Sequence, residues 1–290
     1  MKGNACSGGR QSRWRMKMIE CAGETDRESI IHLWNTSFGD SFDWIKSYYA
    51  NRTVGQTLVY RMEDGVVAAM LEMLPVSIQD YEKFFSGFYI YAACTLPNFR
   101  GQGLMHALIE ESCRIAQRKD LDFASLIPQT RTLVAFYEKQ GFCIPIKNSV
   151  WIYNASRSSV ISLFSMSEDE FVTLKECYER QHSCVMIHDR MFIRLIYRQV
   201  LASGGSVLKI NHCDSVSYAI CFYENNSLKI QEISSDNQTI RQDIDAICHY
   251  FQTKEAAVVR AGEMHDYGRI RPLNKCFQLH HSLYMNTMLE

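Results

Sequence analysis

A short glycine loop between an apolar strand and an amphipathic helix constrains this chain more than any other feature. The loop holds Arg100, Gly101 and Gly103, follows the strand-like run 88–94, and precedes a helical pattern that begins at Leu104. Glycines let the backbone turn with its N–H groups pointing inward and leave no side chain to block an anion. A helix N-terminus adds partial positive charge and unpaired donors. The sequence therefore predicts a phosphate site at the start of this helix.

The spacing of this loop separates it from two common nucleotide motifs. It is neither G-x-x-x-x-G-K-[ST] nor G-x-G-x-x-G, which excludes an NTPase P-loop and gives no support to a dinucleotide fold. Residues 100–105, Arg-Gly-Gln-Gly-Leu-Met, resemble the R-x-x-G-x-G/A signature of the GNAT N-acetyltransferases, whose loop binds the pyrophosphate of acetyl-CoA. Met105 departs from that pattern, since Gly or Ala is usual there, and its side chain crowds the approach of helix to cofactor.

A second motif supports the same resemblance. Residues 135–142, Ala-Phe-Tyr-Glu-Lys-Gln-Gly-Phe, resemble the family's fYekxGF segment, and Tyr137 follows Arg100 by 37 positions, which is a family-like distance. The periodicity of residues 18–155 predicts the order β-α-α-β-β-β-α-β-α-β-β, with strands 142–146 and 150–153 as a final pair. The implied fold class is α+β (mixed α/β), with a central, mostly antiparallel sheet flanked by helices.

The rest of the chain indicates a second, degenerate GNAT-like domain over residues 156–290. Its pattern again reads α-α-β-β-β-α-β, but it lacks R-x-x-G-x-G, and Asp236 at the equivalent place would repel a pyrophosphate. We therefore expect one cofactor site, in the catalytic domain 18–155. Segments 34–40 and 267–273 make the tandem layout most similar to the "enhanced intracellular survival" acetyltransferases, although their sterol-carrier-like domain does not fit in this length.

Composition excludes several classes of partner. The net charge of −1 argues against nucleic acid, which requires a strong basic excess. Residues 1–17 carry five basic side chains and no apolar core, so we expect a flexible basic tail and not a signal peptide. The longest uncharged run, 84–99, is too short for a membrane span. Eleven scattered cysteines without any C-x-x-C favour reduced thiols in a cytoplasmic protein and predict no metal site.

The resemblance also implies which residues bind acetyl-CoA as co-substrate. The backbone of the strand end would pair with the pantetheine amides, and the loop amides would bind the pyrophosphate. Arg100 either adds charge or only braces the loop. The cofactor-binding residues implied are Cys94, Thr95, Leu96, Arg100, Gly101, Gln102, Gly103, Leu104 and Met105.

Catalytic roles follow from the same resemblance. Tyr137 is expected to be the general acid that protonates the leaving thiolate, with a buried core tyrosine as the alternative. The base stays open between Glu72, which has a paired strand carboxylate as its alternative, the terminal carboxylate of Glu290, and no base at all if the amine is already neutral. Trp34 and Phe38 would wall the acceptor pocket, unless they are only core residues.

These observations predict an acetyl-CoA-dependent N-acetyltransferase. A small-molecule or peptide amine would attack the thioester directly in a ternary complex, without a metal. Two alternatives remain: an acyltransferase that uses another acyl or aminoacyl donor, and a catalytically weak acyl-CoA-binding module. Cys94 and His106 are expected to be packing residues, because no His–Asp set accompanies Cys94 and His106 has no partner in the sequence pattern.

Overall fold

The computed structural model describes residues 18–156, 161–285 and 287–289; the basic tail 1–17 and Glu290 lie outside the described residues. The helices of the described part are α1 (Arg27–Phe38), α2 (Phe42–Asn51), α3 (Leu104–Arg118), α4 (Arg131–Glu138), α5 (Glu168–Glu179), α6 (Arg190–Ala202) and α7 (Ile240–Tyr250). The strands are β1 (Met18–Cys21), β2 (Gln56–Arg61), β3 (Val67–Asp80), β4 (Lys83–Thr95), β5 (Phe123–Leu126), β6 (Ile144–Asn154), β7 (Leu163–Ser165), β8 (Cys184–Ile187), β9 (Ser206–Asn211), β10 (Val216–Glu224), β11 (Ser227–Ile233), β12 (Glu255–Ala261) and β13 (His265–Pro272).

One mixed sheet runs through the molecule. Its strand order is β1-β2-β3-β4-β5-β13-β6-β12-β11-β10-β9-β7, and β8 pairs with the far end of β3. Most neighbours are antiparallel; the parallel pairs are β4 with β5 and β11 with β12. The predicted mixed α/β class with a mostly antiparallel sheet is confirmed. The predicted domain division after residue 155 falls just after β6. This strand pairs with β13 in its first part and with β12 in its second part.

The predicted pairing of strands 142–146 and 150–153 is wrong. Residues 144–146 and 150–153 belong to the single strand β6, whose first part pairs with β13 and whose second part pairs with β12. The polar residues 147–149 between the two runs do not form a turn. They lie where the two partner strands meet, because Asn148 is opposite both Ala261 and His265. The short strands β7 and β8, and β13, were also not predicted, because distant segments supply their partners.

Helices cover both faces of the sheet. The amphipathic α3 packs against β2, β3 and β4 through a stripe that includes Leu104, Leu108 and Ile109. On the opposite face, α1 and α2 share one apolar core with α5 and α6, in which Trp34 and Phe192 are buried. This shared core places elements from both parts of the sequence behind the same end of β4.

The sheet opens between β4 and β5. These strands pair at only three positions, the last being Tyr89 opposite Ser125. At the first position a Cβ on Gly87 would lie 2.6 Å from the carbonyl oxygen of Phe123, so the close approach requires glycine. Beyond Tyr89, β4 has a bulge in which Ala92 and Ala93 face one residue of β3, and Ala92 has a φ of 47°. Backbone groups of β4 are thus left available beside the opening.

Candidate active site

The glycine loop adopts the conformation that its sequence predicts. Gly101 and Gly103 have φ angles of 74° and 78°, and a Cβ at either position would meet no atom within 4 Å. The first backbone bond of α3 runs from the Ala107 amide to the Gly103 carbonyl at 3.0 Å. The preceding amides at the helix start therefore have no intrahelical acceptor, as at any helix N-terminus. Arg100 braces the loop, because its Nε donates to the Thr95 carbonyl at 3.1 Å.

A cavity of about 670 Å³, which we call the loop cavity, lies in front of this helix start. Its lining includes seven of the nine residues expected to bind the cofactor: Cys94, Thr95, Arg100, Gly101, Gly103, Leu104 and Met105. Leu96 and Gln102 do not line it. The Leu96 amide donates to the Ala68 carbonyl at 2.9 Å, and the Gln102 side chain donates to the Asn98 carbonyl at 3.4 Å.

A second cavity of about 270 Å³ lies where β4 and β5 separate, and we call it the aromatic cavity. Its polar and aromatic walls include Trp34, Asp40, Tyr89 and Tyr91. The two cavities meet, because the same four residues line both of them: Phe38, Ala93, Leu133 and Tyr137. Tyr137 therefore lies at the boundary between the loop cavity and the aromatic cavity.

Tyr137 combines burial with a position at this junction. It lies on α4 with 7% of its surface exposed, and its ring packs against those of Phe136 and Phe142. Burial, together with the nearby Cys94, raises the pKa of Tyr137 to about 12. No hydrogen bond to its hydroxyl is formed within the described part of the chain. At neutral pH the side chain is a phenol with a proton to donate.

Trp34 and Phe38 both line the aromatic cavity, and their role as walls of an acceptor pocket stays a prediction. Trp34 is almost fully buried, and its indole lies 5.2 Å, centroid to centroid, from the ring of Tyr91. Its Nε1 donates to Asp40 Oδ2 at 2.7 Å, which directs that carboxylate to the cavity. Phe38 is 45% exposed at the junction. The sequence analysis includes Asp40 only as the last residue of segment 34–40 and assigns it no role in the site.

Glu72 does not line either cavity. Its side chain is fully buried behind α2, where it accepts hydrogen bonds from Tyr49 Oη and Thr57 Oγ1, both at 2.6 Å. Arg52 completes an ion pair at 2.9 Å, and Tyr48 lies at 3.4 Å. The expectation that Glu72 is the general base has no geometric support, because four donors already surround its carboxylate. The charge and the hydrogen bonds instead join α2 to β2 and β3.

The end of the described chain contributes part of the cavity wall through Leu289, whereas the sequence analysis names only the terminal carboxylate of Glu290 at the site. Leu289 is fully buried, lines the aromatic cavity, and accepts a 2.7 Å hydrogen bond from Tyr89 Oη. The candidate base at Glu290 lies outside the described residues. Only its position next to Leu289 in the sequence connects it with this cavity.

The sequence and the fold are both similar to known acetyltransferases. Residues 19–144, less than half of the chain, match the acetyltransferase (GNAT) domain family model. A GCN5-related N-acetyltransferase from Anabaena variabilis is similar in structure, with a TM-score of 0.71 at 16% identity over 90% of this chain and 74% of that one. The chain has the GNAT fold.

Two further solved structures share this fold. A probable N-acyltransferase from Enterococcus faecalis has a TM-score of 0.71 at 12% identity, over 89% of this chain and 72% of that one. Eis1 from Mycobacterium abscessus has a TM-score of 0.65 at 9% identity, over 89% of this chain and 74% of that one. No curated protein matches the sequence. The GNAT domain match supports an acyl-CoA-dependent acyltransferase.

The second half of the sequence repeats some strand features of the first half but lacks its glycine loop. The parallel pair β11–β12 again spans three positions, and β11 again has an irregularity next to it, at Gln231. At the start of α7, however, Asp236 Oδ1 accepts the amides of Gln238 and Thr239 at 2.8 and 2.9 Å. A side-chain carboxylate therefore occupies the place that an anion would need.

Other reactive side chains near the loop have ordinary structural roles in the described part. Burial raises the pKa of Cys94 to about 12, which keeps its thiol protonated, and His106 Nδ1 lies 3.3 Å from Gln140 Oε1. No group of three or more His, Cys, Asp or Glu side chains suited to a metal ion occurs among residues 18–156, 161–285 and 287–289. None of the described helices is both long and apolar enough to cross a bilayer.

Proposed function

We propose that this protein is an N-acyltransferase that transfers an acetyl group from acetyl-CoA to a small cationic amine. The observation that carries this proposal is the junction of the two cavities at Tyr137. A CoA pyrophosphate at the loop would direct its pantetheine arm along β4 toward that junction. The amine would enter the aromatic cavity and meet the thioester there.

The donor site follows from backbone geometry. The amides from Gly101 to His106 would bind the pyrophosphate, and the strand end at Cys94 and Thr95 would pair with the pantetheine amides. Arg100 acts as a brace in this proposal, since its side chain is engaged by the Thr95 carbonyl. Residues 18–155 then supply the donor site, and the second domain supplies part of the acceptor wall through Leu289.

The acceptor class follows from the walls of the aromatic cavity. Asp40 is the acidic side chain among its described lining residues, and Trp34, Tyr89 and Tyr91 surround the same space. A carboxylate beside aromatic faces attracts an ammonium group both by charge and by cation–π contact. The cavity volume of about 270 Å³ suits a small amine or the end of a larger one.

The proposed reaction is a direct attack. The bound ammonium group first loses one proton to water. The neutral nitrogen then bonds to the thioester carbonyl carbon, and the carbonyl oxygen becomes an oxyanion. When the C–S bond breaks, the sulfur leaves with the electron pair and takes the phenolic proton of Tyr137. The amide nitrogen loses its proton to Asp40 or to water, and solvent reprotonates Tyr137. The elevated pKa of Tyr137 keeps the required proton in place at neutral pH.

One experiment tests this function. The purified protein is incubated with acetyl-, succinyl- or longer acyl-CoA and a panel of cationic, neutral and anionic amines, and acylated product is measured by mass spectrometry. We expect CoA release with acetyl-CoA that depends on a cationic amine. CoA binding by calorimetry without product from any amine would favour a binding module, and absence of CoA binding at millimolar concentration would overturn the proposal.

A further inference from the structure

A buried network of charged and polar side chains lies in the second half of the chain, and none of its members lines the aromatic cavity or the loop cavity. It joins α5 to β10 and β11, and we call it the Lys175 network. Each of its five members is at most 3% exposed: Lys175, Glu179, His188, Tyr218 and Glu232. Burying charged groups costs free energy unless each is paired and hydrogen-bonded.

The contacts within the network are close. Lys175 Nζ lies 3.0 and 3.1 Å from the two carboxylate oxygens of Glu232, and 3.5 Å from Glu179 Oε1. His188 Nδ1 lies 2.7 Å from the same Glu179 oxygen, and the Tyr218 hydroxyl donates to Glu232. Burial opposes ionisation of Glu179, but His188 and Lys175 outweigh it and lower its pKa.

Two members of the network hold the end of the described chain. The Thr287 amide donates to Glu232 Oε2 at 3.1 Å, and His188 Nε2 lies 2.8 Å from Met288 Sδ. The next residue is Leu289, whose carbonyl accepts from Tyr89 in the wall of the aromatic cavity. A continuous set of contacts thus runs from the buried charges, through three consecutive residues, to the proposed acceptor site.

We propose that Glu232 is a positioning residue for the acceptor: by holding Thr287, it fixes Leu289 and Tyr89 in the wall of the aromatic cavity. This proposal rests on the proposed acyltransferase function. A carboxylate suits the role, because it accepts from Lys175, Tyr218 and Thr287 at once, which a neutral amide in its place cannot do. Lys175 is the oppositely charged partner of this buried carboxylate.

The first test does not need activity. Hydrogen exchange is compared in the wild-type chain, Glu232→Gln and the matched control Asp245→Asn. Asp245 is also a buried carboxylate of the second domain, but it binds Tyr153 and Ser156 and not the chain end. We expect exchange at residues 287–289 to be at least about tenfold faster in Glu232→Gln, with the peptide around the glycine loop unchanged. Unchanged exchange at 287–289, or an equal increase in Asp245→Asn, would overturn the proposal.

The second test uses kinetics. Glu232→Gln and Tyr89→Phe should each raise the KM for the amine about tenfold and change the KM for acetyl-CoA by less than about twofold. Because both variants act through Leu289, their combination should be no worse than the more severe single variant. Two results would refute the positioning role: effects of the two substitutions that multiply in the double variant, or equal increases in the KM for the amine and the KM for acetyl-CoA.

The role of Glu232 can still be tested if the Glu232→Gln variant does not fold or if the wild-type chain is inactive. If Glu232→Gln does not fold, Lys175→Met/Glu232→Leu replaces the central ion pair with apolar side chains, a change that proteins often tolerate. This variant still removes the acceptor of the Thr287 amide, so the same readouts apply. If the wild-type chain transfers no acyl group, the proposed function fails, and the exchange experiment alone decides the role of Glu232.

Discussion

The indole Nε1 of Trp34 donates a 2.7 Å hydrogen bond to Asp40 Oδ2, across the turn that ends α1. The turn is made by Gly39, whose φ of 77° brings the carboxylate back toward the helix. A fully buried aromatic side chain thereby orients an acidic group in the wall of the aromatic cavity. This relationship gives Asp40 a defined direction that a lone surface carboxylate would lack.

We expect Asp40→Asn to raise the KM for a cationic amine by about tenfold or more, because a charge-assisted contact is lost. The KM for acetyl-CoA should be unchanged. Asp43→Asn is the control, since Asp43 is an acidic residue of the neighbouring helix that lines neither cavity. Steady-state kinetics with one cationic and one neutral acceptor checks this, and equal effects on both acceptors would remove Asp40 from amine recognition.

Gly103→Glu should abolish CoA binding while the domain stays folded. The new side chain places negative charge against the proposed pyrophosphate site, and the left-handed conformation adds roughly 1–2 kcal/mol of strain. Gly65→Glu is a matched control: Gly65 has a φ of 88° and open space around its Cβ position, but lies in the turn between β2 and β3. Calorimetric titration with CoA and thermal melting measure the two effects. Undiminished CoA affinity in folded Gly103→Glu would refute the loop site.

Tyr137→Phe should lower kcat by about 10²-fold and leave CoA affinity nearly unchanged, because the hydroxyl is proposed to act only as the leaving group departs. Tyr197→Phe serves as the control, since Tyr197 donates to the Met166 carbonyl away from both cavities. Single-turnover rates and CoA titrations check this expectation. A parallel loss of CoA affinity would mean that Tyr137 has a structural role.

The contribution of Tyr137 should persist at alkaline pH. Burial raises its pKa to about 12, above the ordinary value of about 10, so the phenol keeps its proton throughout the range from neutrality to about pH 10. The ratio of wild-type to Tyr137→Phe kcat should therefore be constant over that range. A ratio that declines toward one as the pH approaches 10 would show that the group loses its proton earlier and is less buried than described.

Glu72→Gln should destabilise the protein without removing activity per folded molecule. The amide cannot accept from all four donors, and Arg52 loses its charge partner, so the free energy of unfolding should fall by about 3–5 kcal/mol. Denaturant unfolding measures this loss, and active-site titration normalises kcat to folded protein. A fall in kcat of about 10²-fold or more in the folded fraction would restore Glu72 as the general base.

Local sequence determined the elements around the donor site. The positive φ angles of Gly101 and Gly103, the start of α3 at Leu104 and the amphipathic stripe of α3 all follow from neighbouring residues. Short-range interactions dominate such features, because glycine freedom, capping and helical periodicity act within a few positions. The prediction that Trp34, Phe38 and Tyr137 lie near one site came from a family resemblance, and the structure brings all three to adjoining cavities.

Only the tertiary structure decided the acceptor side and the shape of the sheet. The order of the strands made Glu72 a candidate base, but it is buried among four donors from α2, its C-cap residue Arg52 and β2. Leu289 enters the wall of the aromatic cavity beside Tyr89, and the two strands expected on either side of residue 148 form one continuous strand where β12 and β13 meet. These outcomes depend on which distant segments are neighbours, and no local pattern encodes that choice. They are selected by packing, hydrogen bonds and ion pairs between segments that are distant in the sequence.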